Sequence, residues 1–491
     1  MQNPLPVPSV RIKKAHKSRL NREGDYVLYW MTAFRRSGYN LSLQRAVEWC
    51  GELKRPLIIL EALRRGYPWA NDRLHRFIIE GMVDNASHLQ RPAVFYYPYL
   101  EPWGGVGKGL LTTLSQKACI IVTDDFPSFF IPKMIKAASQ KIKAPLEVVD
   151  SNGLLPMAAG GKEFKTAYSF RRFLQKALPT HLHDIPLEDP VGHMPDLSVP
   201  SLTKKVLTRW PPLSKKRLLS FSKDLSSLPL DHTVGGGSFK GGREEGLKRM
   251  KDFLDKGLVL YPETRNQPEM EGTSGLSPYL HFGHISAHEI FQGIVERESW
   301  FFDRLGLKAS GKREGWWGMS QGAEAFLDEL VTWRELGFNM CHLRDDYDQY
   351  ESLPEWAIET LSTHEMDERE YIYSMDQFEQ GATHDPLWNA AQMQLVREGR
   401  IHGYLRMLWG KKILQWTPSP RDALEVMIEL NNKYALDGRD PNSYSGIFWT
   451  LGRYDRGWGP ERAVFGKVRY MSSKNTARKM GVKNYTARYA P

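Results

Sequence analysis

The chain has 491 residues, 41% of them hydrophobic and 25% charged, with 12% aromatic residues and 15 Trp. Those proportions exclude wholesale disorder. Cys50, Cys119 and Cys341 are too scattered for a disulfide framework or a structural zinc site. A formal charge of +10 suits an anionic partner, nucleic acid above all. No apolar run approaches the roughly 20 residues of a membrane helix. The N-terminus lacks a signal-peptide core. A soluble, cytoplasmic protein is expected.

Residues 1–150 read as alternating strands and helices. YVLYWM (Tyr26–Met31) is a buried-strand run, followed by an amphipathic stretch, Leu41–Leu53. Residues 56–60, 93–97, 118–125 and 146–150 continue the strand series. Such spacing predicts a parallel, doubly wound α/β sheet, whose ligands sit at the carboxyl ends of its strands. Thr123, Asp124 and Asp125 stand at one such end, where a strand-to-helix cap is the plainer reading. Gly104, Gly105, Gly107 and Gly109 match neither GxGxxG nor a P-loop and read as a flexible turn.

Residues 151–240 are rich in Pro, Ser and Leu, end in GGGSFKGG and read as a connector. They carry Lys204, Lys205, Arg209, Lys215, Lys216, Arg217 and Lys223. A solvated face and a nucleic-acid contact both suit that cluster. Residues 241–491 read as all-helical. Asp385 with Pro386, and Ser419 with Pro420 and Asp422, are helix-start signatures, and Gly399 is a helix stop.

There is no HExxH or Walker A motif, and His181 and His183 lack further ligands nearby, so hydrolase chemistry is poorly supported. What stands out is Gly272 to Gly283, GTSGLSPYLHFG. Its Thr273, Ser274 and Ser277 offer hydroxyls and backbone N–H groups at a helix start, suited to phosphate. Tyr261 and Arg265 could complete a pyrophosphate clamp.

Here a resemblance becomes specific. TSGLSPYLHFGHIS resembles the flavin-binding signature of the photolyase/cryptochrome family. Residues 383–416 (THDPLWNAAQMQLVREGRIHGYLRMLWGKKILQW), NNKYALDGRDPNSYSGIFW and VFGKVRYM resemble class II cyclobutane pyrimidine dimer photolyases in particular, over nearly the whole chain. The resemblance implies a Rossmann-like antenna domain in 1–150, a linker in 151–240 and an all-α FAD-binding domain in 241–491. It also implies light-driven electron transfer from reduced FAD that splits dimers in UV-damaged DNA, by a monomer. A second antenna chromophore of deazaflavin or folate type is a further implication. A cryptochrome-like photoreceptor without repair is the rival reading.

Carried onto this sequence, the resemblance assigns FAD to Tyr261, Arg265, Thr273, Ser274, Gly275, Leu276, Ser277, Arg406 and Asp437, the last two as a salt bridge beside the flavin ring. It makes Trp409, Trp388 and Trp416 an electron wire running outward, with Trp416 at the surface. It sets Asn431 opposite flavin N5, with Asn442 as competitor. Glu329 becomes the carboxyl that bonds the dimer's base edge, and Trp333, Met407 and Trp449 line the lesion pocket. In 461–491, eight cations against Glu461 suit phosphate contacts. For the last dozen residues a disordered tail is an equal reading.

Overall fold

A computed structural model describes residues 5–491. Six strands form one sheet: β1 (Ile12–His16), β2 (Tyr26–Met31), β3 (Leu57–Leu63), β4 (Val94–Leu100), β5 (Ala118–Asp124) and β6 (Leu146–Val149). Their order is β1-β6-β5-β2-β3-β4. Strands β2 to β6 are parallel, and β1 runs antiparallel to β6. Every residue of β2, β5 and β6 is buried, because both sheet faces are covered; hence their largely apolar runs, broken only by Thr123, Asp124 and Glu147. β1 has no such run. It is a polar edge strand, IKKAH, which hydrophobic patterning does not reveal.

Strand order reverses at β2, with β3 and β4 on one side and β5 and β6 on the other, which opens a crevice at the carboxyl ends. Asp124 is a structural pin there. Its Oδ2 accepts the backbone N–H of Thr32 (2.8 Å), Ala33 (2.8 Å) and Phe34 (3.0 Å), and its Oδ1 accepts the Tyr29 hydroxyl at 2.8 Å. The carboxylate shapes the turn after β2.

The stretch that reads as a connector is folded. Helix Ala167–Ala177 is capped by Thr166 and buries Phe170 and Leu174 in the same core as the helical half. Its Arg171 pairs with Asp328 at 2.7 Å. Helix Lys215–Lys223 buries Leu218 in that core too. The apolar residues are few but spaced for one buried stripe. All seven cations of the basic cluster remain exposed.

From Arg243 onward the regular structure is helical. Asp385 accepts from the N–H groups of Leu387 and Trp388, each at 3.1 Å. That helix, Pro386–Glu398, ends at Gly399 with φ 75°. Ser419 caps helix Pro420–Tyr434 through the Asp422 N–H at 3.1 Å.

The two halves meet along a polar seam. Arg73, only 3% exposed, donates to the carbonyls of Val396 (2.7 Å), Tyr434 (2.9 Å) and Gly235 (3.1 Å). The first two are orphan carbonyls at helix C-termini, where a cation is favoured. Arg36 donates to the Gly283 carbonyl at 3.2 Å. Gly283 has φ 72°, and a Cβ there would collide with the Ala33 carbonyl oxygen. His284 stacks on Phe77, 5.1 Å between centroids, and accepts the Gly242 N–H at 3.0 Å. No helix among the described residues is long and apolar enough to cross a membrane.

Candidate functional site: two cavities and a chain of aromatic rings

A cavity of about 1620 Å³ opens in the helical half, above the roughly 300–1,000 Å³ of a small-molecule pocket. Tyr261, Arg265 and the run Thr273 to Ser277 line it, together with Glu329, Trp333, Arg406, Met407, Asp437 and Trp449. Residues far apart in sequence thus share one wall.

The charges on that wall are paired. Arg406 donates to Asp437 at 2.9 Å, and the Ser277 hydroxyl donates to the same carboxylate at 2.8 Å. Burial alone raises Asp437, but Arg406 and Ser277 together hold it below the usual carboxylate range. Arg265 donates to Glu329 at 2.9 Å and lies 5.5 Å from the Tyr261 ring centroid. A clamp on phosphate was the expectation for Arg265; the structure commits its guanidinium to Glu329, because both side chains project from facing helical turns. Burial pushes the Glu329 carboxyl up, against the pull of Arg265. Glu329 and Trp333 lie in one π-helical turn, Asp328–Trp333, a wider turn than the α-helix their spacing suggests. Such turns recur at functional sites. Helix Ser277–His281 has only five residues, so anion binding there rests on hydroxyls and turn N–H groups more than on a dipole.

Asn442 lines the cavity, whereas Asn431, 1% exposed, does not. The Asn431 amide donates to Ser443 (2.9 Å) and Asn432 (3.2 Å), because its turn faces helix Pro441–Thr450. Its Oδ1 has no hydrogen-bond partner among the described residues.

Sequence reasoning missed His402. It precedes helix Gly403–Trp416, lines the cavity at 9% exposed, and has both ring nitrogens without a partner. Its position just before that helix was the available signal. Arg406 Nε is likewise buried and unpartnered. Orphan donors and acceptors around a dinucleotide-sized cavity fit a polar, phosphate-bearing aromatic ligand.

Beside the cavity run the tryptophans. Trp409 is 2% exposed and Trp388 is fully buried. Trp388 Nε1 donates to the Trp409 carbonyl at 3.0 Å, and its ring lies 5.9 Å from that of Trp416. Trp416 is not at the surface: it is 2% exposed, covered by Tyr373 at 5.7 Å and His384 at 5.0 Å. Tyr373 and His384 share a hydrogen bond of 2.7 Å, and Tyr371 stacks on His384 at 3.8 Å. Tyr371, 38% exposed, and His384, also exposed, form the outer layer of these rings. Tyr373 lies against Trp416, and Tyr371 stacks outside it on His384.

The rim carries Arg456, Arg462, Arg469 and Lys479. Arg469 pairs with Asp455 at 2.8 Å. The last dozen residues are folded: helix Lys483–Arg488 buries Tyr485, whose hydroxyl donates to Gln394 at 2.8 Å.

A second cavity of about 630 Å³ occupies the crevice of the sheet. Tyr67, Phe126, Phe129 and Phe130 line it, with Gly104 to Gly109 along one side. The glycine patch is therefore a cavity wall. Glu101 holds it in shape by accepting the N–H groups of Gly105 (2.9 Å) and Gly107 (3.2 Å). Among the described residues no cluster of His, Cys, Asp and Glu is arranged to hold a metal.

No protein-family model matches the chain. Relatives do. A deoxyribodipyrimidine photo-lyase of Methanothermobacter thermautotrophicus is 35% identical over 479 residues, covering 97% of both chains. One from Arabidopsis thaliana is 34% identical over 96% of this chain and 90% of its own, and one from Potorous tridactylus 32% over 96% and 82%. The fold is shared by a class III photolyase of Agrobacterium tumefaciens, with TM-score 0.67 and 17% identity over 95% of this chain and 86% of that one. It is also shared by a Sulfolobus tokodaii photolyase solved with two FAD molecules, with TM-score 0.63 and 15% identity over 94% and 89%. Identity above 30% along nearly the whole length, on a fold that photolyases share, leaves one assignment: the chain belongs to the deoxyribodipyrimidine photo-lyase family.

Proposed function

We propose that this chain is a class II-like photolyase that binds DNA carrying cyclobutane pyrimidine dimers and reverses them with light and reduced FAD. The carrying observation is the single cavity whose wall holds both Thr273 to Ser277 with Arg406 and Asp437, and Glu329 with Trp333, Met407 and Trp449. A photoreceptor needs the first set alone.

Residues Thr273 to Ser277 would bind the phosphates of FAD through hydroxyls and N–H groups. Arg406, held by Asp437, would set a cation beside the ring, and His402 would supply ring nitrogens. Asn442, which lines the cavity, or Asn431, buried beside Ser443, would accept from flavin N5. When bound and excited, reduced FAD supplies one electron to the dimer and regains it after ring opening, so no net redox change results.

The chain's own residues do the rest. Trp333 and Trp449 stack on the extruded bases and keep water out. Glu329, positioned by its ion pair with Arg265 and raised by burial from the usual carboxyl range, would hydrogen-bond the edge of the extruded pyrimidines. Arg456, Arg462 and Lys479 at the rim meet phosphates. Trp409, Trp388 and Trp416 would carry electrons inward to FAD. The second cavity would hold an antenna chromophore, its aromatic bed matching a flat ring system. The antenna domain would then be 1–150 and the catalytic domain 241–491, in a monomer acting in the cytoplasm.

The test is to illuminate the reduced protein with a dimer-containing oligonucleotide and count restored thymines. Light-dependent restoration is expected. A flavin-loaded protein that restores none is a photoreceptor instead.

A further inference from the structure

A lysine buried without a carboxylate is rare, because its charge must be matched by something else. Lys411, in helix Gly403–Trp416, is fully buried and makes no ion pair among the described residues. Its Nζ donates to the Thr450 carbonyl at 2.6 Å, at the last residue of helix Pro441–Thr450, where the helix dipole favours a cation. The same Nζ lies 4.8 Å from the centroid of Trp449. Trp449 lines the large cavity and Lys411 does not, so the indole separates the ammonium from the cavity. The other charged groups facing Lys411 are Asp455 and Arg469, which pair with each other at 2.8 Å. Its neighbour Lys412 turns away to Gln415 at 2.9 Å.

We propose that Lys411 is a positioning residue for the lesion: its ammonium, seated behind Trp449, fixes that ring and makes its outer face receptive to the carbonyl-rich, electron-accepting dimer. This rests on the lesion pocket proposed above. A cation withdraws electron density from the ring it touches and attracts charge developing beyond it. Burial lowers the Lys411 pKa to about 7. The ammonium is therefore present below neutrality and lost above it, so grip on the lesion should weaken as pH rises.

The experiment measures the dissociation constant for a dimer-containing oligonucleotide at pH 6 and pH 8.5, in wild type, Lys411→Met and Trp449→Ala, with FAD content and melting checked. In wild type it should rise about threefold to thirtyfold, the range of cation–π contacts from exposed to desolvated. Lys411→Met should bind at the weaker, high-pH level throughout. Trp449→Ala should lose the pH step as well, which keeps the test alive if Lys411→Met fails to fold. A wild type indifferent to pH, or a pH step surviving in either variant, overturns the role of Lys411. Absence of lesion-specific binding at every pH overturns the pocket itself, a different result.

Discussion

The two cavities are built by opposite chemistry. In the large one three inner cations are matched to carboxylates: Arg265 to Glu329, Arg406 to Asp437 and Arg469 to Asp455. The sheet cavity is instead bedded on Tyr67, Phe126, Phe129 and Phe130, and its glycine wall is shaped by Glu101 through backbone N–H groups. Paired charges can respond when charge appears nearby, because each partner is already desolvated and oriented. An aromatic bed holds a flat molecule by area and shape, without responding to its charge. The difference suits the two roles proposed above, electron transfer in the large cavity and light gathering in the sheet cavity.

The sharpest way to break that comparison is Glu329→Ala. It should lower repair per absorbed photon by about tenfold to a hundredfold, the cost of losing a hydrogen bond to a charged group. Lesion affinity should change less, and the second chromophore's occupancy not at all. Equal losses in affinity and yield would make Glu329 a binding group only. Next in size is Ala62→Phe, which fills the sheet cavity. Overpacking of this kind costs about 1–3 kcal/mol, so retention of a deazaflavin or folate chromophore should fall about tenfold. FAD content and repair under direct flavin excitation should stand. Loss of both ligands would show that the cavities are not independent.

The smallest effect probes what the cavities share, the seam. Burial and the nearby Arg35 and Arg36 lower the His284 pKa to about 3, and its Nδ1 already accepts the Gly242 N–H. Above its unfolded pKa of about 6.5 both states are neutral. Below it the unfolded chain takes a proton that the folded seam refuses, so stability is lost as pH falls. Between pH 7.5 and 5.5 this one group should remove about 1.4 kcal/mol. His284→Gln should reduce the acid-induced drop in unfolding free energy by that much. Equal drops in both proteins would place the acid sensitivity elsewhere.

Much of this was legible in the sequence, for identifiable reasons. The strands β2, β3, β5 and β6 are apolar because they are covered on both faces, so composition alone marks them. Asp385 and Ser419 cap through local hydrogen bonds, which local sequence encodes. What escaped was set by distant neighbours. Trp416 reads as an outer residue until Tyr373 and His384, some 30 to 45 residues upstream, are found over it. Arg265 reads as a phosphate ligand until Glu329 is placed opposite. Lys411 gives no signal within GKKILQW, since no pattern announces a cation that pairs with a carbonyl and a ring. The wire, the flavin ligands and the lesion pocket came from family resemblance, which carries long-range information that periodicity lacks.

Arg73 has a consequence for how such a chain can be taken apart. Its guanidinium reaches from the sheet half to close the ends of helix Pro386–Glu398, which carries Trp388, and helix Pro420–Tyr434, which carries Asn431. A truncated version lacking the first 150 residues would leave those carbonyls bare and strip the cover from Gly283. The sheet half is thus not a detachable accessory: chimeras that exchange it between relatives must transplant the residue at position 73 and its carbonyl partners as one set, or the recombinant flavoprotein will be recovered insoluble.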